Sequence, residues 1–90
     1  MRFEVAKTLQ DGQLVALVLV TREVVKNRYE AERVIREVRR ALPQYHILLM
    51  ARSSTGFPSF YGSDSLIQKM RDTSVQSLKW ERHDTSQPKV

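Results

Sequence analysis

The sequence predicts an α/β domain, specifically an α+β two-layer sandwich of order β-β-α-β-α-β. Three observations carry that prediction. Two runs, Leu14 to Val20 and Ile47 to Ala51, are apolar without alternation, as strands covered on both faces are. The segment between them places apolar residues at helical spacing, which makes the unit a crossover joining parallel strands. Asp11-Gly12 separates two apolar runs, a strong hairpin signal because both central residues of a type I′ turn need positive φ.

Arg2 to Leu9 alternates, with Phe3, Val5 and Leu9 to one side and Arg2, Glu4 and Thr8 to the other. That is the period of a half-buried strand. Leu14 to Val20 is the second strand. Thr21 to Leu42 is helical: Ala31, Val34, Ile35, Val38 and Leu42 share one stripe, with Val24 on the same side. Two residues compete to cap its start. Thr21 is one; Asn27 is the other, with Glu30 three positions on completing a capping box. Pro43 ends the helix, and Arg39 and Arg40 complement the negative end of its dipole.

Gln44 to Arg52 reads as the central strand, parallel to the second. Ser53 to Gly62 is rich in Ser, Gly and Pro and reads as a loop. Ser63 can cap a short helix, Asp64 to Asp72, whose apolar side is Leu66, Ile67 and Met70. Val75 to His83 alternates, Leu78 and Trp80 against Ser77, Lys79 and Glu81, and reads as an edge strand. Residues 1–83 form one domain on this reading, and 84–90 form a disordered polar tail.

These elements are expected to build a mixed four-stranded sheet with two helices, both on one face. The central strands would then leave an apolar face in water, and such a patch marks an interface. The expected partner is a second copy of the chain, giving a homodimer through the open sheet face or an edge strand. In the competing reading the helices lie on opposite faces and a monomer is self-sufficient.

Ninety residues allow one core. The chain has no cysteine, so neither a disulfide nor a thiolate metal site is available. Met1-Arg2-Phe3-Glu4 lacks the apolar core of a signal peptide. The longest apolar run falls short of the roughly 20 residues that cross a bilayer. A cytoplasmic protein with no membrane partner is therefore expected. Fifteen basic and ten acidic side chains give a net charge of +5, which favours anionic partners. His46 and His83 have no companions at metal-ligand spacing, so no metal is assigned. No GxxxxGK[ST] loop is present, and no carboxylates read as a buried acid/base pair. No catalytic residue and no cofactor is assigned.

Ligands of open α/β sheets bind beyond the carboxyl ends of parallel strands, and the 53–62 loop leaves such an end. It offers Ser53, Ser54 and Thr55 as hydroxyls, Gly56 as a permissive residue, and Phe57, Phe60 and Tyr61 as aromatics. Arg52 precedes it, and Ser63 follows at a helix start, where backbone N–H groups favour anions. The leading expectation is a small basic binding or interaction domain that takes a partner, or a small anionic or aromatic ligand, at this loop. In the competing reading its aromatics plug the end of the core.

A first alternative is a nucleic-acid-binding module. Tyr29, Arg33, Arg36 and Arg40 lie within about 60° of one another on the helix side away from its apolar stripe. Glu32 with Arg36, and Arg33 with Glu37, could equally be the i,i+4 pairs of an ordinary solvated face. A second alternative is a small enzyme using the loop hydroxyls and Arg52. Ala51-Arg52-Ser53-Ser54-Thr55 superficially resembles the Tyr-Ala-Arg-Val-Ser-Thr segment of serine recombinases, whose strand-end Arg and Ser carry phosphoryl transfer. The resemblance implies Ser54 as nucleophile and Arg52 as its partner. It covers these five residues at most, and no family is assigned to the whole chain.

Overall fold

A computed structural model describes residues 2–53, 58–71 and 78–84. Strand β1 (Arg2–Gln10) and strand β2 (Gln13–Leu19) form the expected hairpin. Its turn residues, Asp11 at φ 50° and Gly12 at φ 79°, both take the left-handed conformation that the Asp-Gly pair tolerates. The helical segment then divides into α1 (Arg22–Lys26) and α2 (Arg28–Ala41). Strand β3 (His46–Ala51), strand β4 (Ser59–Tyr61), helix α3 (Asp64–Arg71) and strand β5 (Trp80–Asp84) follow.

The division at Asn27 resolves the two competing caps: both positions start a helix. Thr21 precedes α1 without a side-chain bond, whereas the Asn27 side chain accepts from the Glu30 backbone N–H at 3.2 Å. Asn27 also ends α1, its own N–H donating to the carbonyls of Glu23 and Val24. Only half of the capping box forms, because the Glu30 carboxylate turns to Arg33 instead. Pro43 follows the last turn of α2, as its missing N–H requires.

The sheet has five strands in the order β4-β3-β2-β1-β5. β2 and β3 are parallel, Val15 opposite His46 through Leu19 opposite Met50. The other three pairings are antiparallel. The α/β content is as expected, but the count is not. Residues 59–61, inside the stretch read as a loop, pair with Leu49–Ala51 as a fifth strand. The last strand lies beside β1, and its described part is shorter than the expected 75–83; Asp84, expected to open the disordered tail, instead ends this strand opposite Arg2, and 85–90 lie outside the described residues.

The placement of the helices corrects the two-layer expectation. Phe3, Val5, Ala16, Val18, Ile47 and Leu49 face one way and pack with Ala31, Val34, Ile35 and Val38 of α2. Ala6, Val15, Leu17, Leu48 and Met50 face the other way and pack with Leu66 and Met70 of α3. The helices therefore lie on opposite faces, in three layers. Val15 to Val18 and Ile47 to Ala51 are buried throughout, which is why the runs show no alternation. The bare apolar face that supported a sheet-face homodimer is absent among the described residues; edge strands β4 and β5 each pair on one side only among those residues. No helix among the described residues is long and apolar enough to cross a membrane.

Candidate functional site

Helix α2 is amphipathic. Its buried stripe faces the sheet, and Tyr29, Arg33, Arg36 and Arg40 are all exposed on the opposite side. Tyr29 projects furthest, 88% exposed. The arginines differ in their surroundings. Arg33 donates to the Glu30 carboxylate at 2.7 Å. That bond, with the guanidinium charge, holds Glu30 below the usual carboxylate range and raises Arg33 above its own. Glu30, rather than the expected Glu37, is thus the hydrogen-bonded partner of Arg33, and Glu37 adds a weaker charge attraction. Arg36, Arg39 and Arg40 have no carboxylate partner among the described residues. Glu32, expected to pair with Arg36, instead accepts a 2.7 Å hydrogen bond from the Tyr61 hydroxyl. That bond, together with desolvation, pushes the phenol of Tyr61 above its ordinary value, while Arg28 pulls the other way.

Two concavities flank this helix. One, about 570 Å³, is lined by Arg28, Tyr29, Glu32 and Arg36. The other, about 520 Å³, opens at the amino end of β3. It exists because β4 is short. β4 pairs with Leu49 to Ala51 only, so the edge of β3 from His46 to Leu48 has no strand beside it among the described residues. Glu32 and Arg39 of α2, Tyr45 and His46, and Tyr61 to Ser63 surround the gap, over a floor that includes the buried Ile35, Ile47 and Leu66. Glu32 lines both concavities.

The loop residues are dispersed. Arg52 is exposed beyond β3, and Ser53 is half-buried. Ser54, Thr55, Gly56 and Phe57 lie outside the described residues. Phe60 and Tyr61 are half-buried in β4 and point to opposite faces, Phe60 against the α3-side core and Tyr61 against the α2-side core. Ser63 is exposed, its hydroxyl 2.9 Å from that of Ser65, and its carbonyl accepts from Ile67 N–H to open α3. The edge gap thus lies at the opposite end of β3 from Arg52 and Ser53, whereas Tyr61, Gly62 and Ser63, at the far end of the predicted stretch, line it. Periodicity could not reveal it, since it depends on where a neighbouring strand stops.

Among the described residues no group of three His, Cys, Asp or Glu side chains comes together as a metal cluster. His83 stacks on Phe3, ring centroids 5.5 Å apart at 13°. Lys7 lies between Glu81, at 3.7 Å, and the ring of Tyr45, at 5.8 Å. Comparison with protein-family models, curated proteins and solved structures finds no match to this chain.

Proposed function

We propose that this is a small nucleic-acid-binding module whose contact surface is the outward side of α2. One observation carries the reading: Tyr29 stands 88% exposed within a row of arginines, and Arg36 and Arg40 have no carboxylate among the described residues to neutralise them. A solvated helix face is expected to pair its arginines, and here an exposed aromatic ring stands at the amino end of the row. Residues 22–41 hold seven basic and four acidic side chains, and so three of the five net positive charges of the chain. Arginines on such a face displace counterions from phosphates, and an exposed ring offers a stacking surface.

Fluorescence anisotropy with labelled oligonucleotides, single-stranded and duplex, tests this across a salt series. Three phosphate contacts would give a log–log salt slope of about −2 to −3. Arg36→Ala lowers the magnitude of that slope by about 0.7 to 0.9 if Arg36 holds one phosphate. Absence of binding by either oligonucleotide at low salt contradicts the proposal.

A further inference from the structure

Resting on that reading, we infer that the nucleic acid is single-stranded and runs from Tyr29 along Arg36 and Arg39 to place a base in the gap at the edge of β3. Three features of the surface support this path. The first is continuity. The two concavities share Glu32, and Arg36 and Arg39 lie four and seven residues beyond it, on successive turns of the same helix side. A backbone following those turns passes from one concavity into the other.

The second is the shape of the gap. It is about 520 Å³, within the range of sites that take small organic groups. Tyr45 and Tyr61 supply ring surfaces at its walls, and His46, Ser63 and the strandless edge of β3 supply polar groups. A base can enter such a recess only when it is unpaired or flipped out of a duplex.

The third is the distribution of charge. On the outward crest, which a duplex groove would cover, Arg33 is already held by Glu30, leaving Arg40 as the unpaired charge at its far end among the described residues. Arg36 and Arg39, which border the concavities, have no carboxylate partner among the described residues. Glu32, in the middle of the path, repels phosphate. The sugar-phosphate backbone therefore follows the arginines while base edges face Glu32, whose carboxylate accepts hydrogen bonds from exocyclic amino groups.

The test compares a labelled single strand of about twelve nucleotides with the same sequence annealed to its complement, both titrated with the intact chain. The single strand is expected to bind about tenfold more tightly than the duplex. Arg39→Ala and His46→Ala are each expected to weaken single-strand binding several-fold. Both side chains are exposed, and unchanged far-ultraviolet circular dichroism establishes that the variants fold. Equal or tighter duplex binding overturns the inference, as does single-strand binding indifferent to both substitutions. In either case loss of binding in Arg36→Glu leaves the α2 interface standing. Failure of both nucleic acids to bind at low salt removes the interface and the path together.

Discussion

Tyr61 joins the sheet to the proposed contact surface through one hydrogen bond, from its hydroxyl to Glu32 at 2.7 Å. The bond requires the phenol to keep its proton, so the folded chain holds that proton more tightly than the unfolded chain does. The sign follows. The stabilisation is fully present below the ordinary phenol value of 10.0, and it is lost as pH climbs through the raised one. Tyr61→Phe should therefore remove part of the alkaline fall in stability, measured as urea midpoints on either side of that value. Gly62, next in the chain, is held in a conformation that disfavours side chains. It has φ +153°, and a Cβ there would lie 2.6 Å from Leu48 Cδ1. Gly62→Ala is expected to cost about 1–3 kcal/mol in urea unfolding. A cost near zero would show that the β4–α3 junction yields easily.

Asn27 and β4 decide the shape of the candidate site at the scale of elements. Asn27 closes α1 and caps α2, so Asn27→Ala should destabilise by about 1 kcal/mol and fray the turn that carries Tyr29. Chemical denaturation with the helical signal as readout checks it. The sequence named Asn27 as a cap because capping is local chemistry. It named the Asp11-Gly12 turn for the same reason, and the arginine row on α2 because one helix sets its own periodicity. It missed β4, three residues following Pro58 with no room to show alternation. It also misplaced α3. The spacing of Leu66 and Met70 states which side of the helix is apolar, but not which face of the sheet receives it. The unbroken apolar runs of β2 and β3 carried that information, since strands greasy on both faces need cover on both.

At the scale of the molecule, helices cover the sheet from both sides, and among the described residues no bare apolar sheet face is left to drive copies together. Leu17 lies in the middle of this arrangement, fully buried on the α3 side. Leu17→Ala is expected to cost about 2–5 kcal/mol, a large share of the stability of a domain of this size. Light scattering should return the mass of one chain, 10.5 kDa. Twice that mass would direct attention to the free edges of β4 and β5. The exposed pair Leu9 and Leu14, opposite each other beside the hairpin turn, is the main apolar feature left on the described surface.

The proposal that α2 and the adjoining gap form the contact surface is tested most directly by following backbone amide resonances during titration with a short single-stranded oligonucleotide. Shifts are expected to concentrate at residues 28–40, at Tyr45 and His46, and at residues 61–63, with the far face of the sheet around Met70 unaffected. Shifts confined to β5 would contradict the proposal, as would shifts confined to Arg52, Ser53 and the start of β4, which would return the site to the carboxyl end of β3.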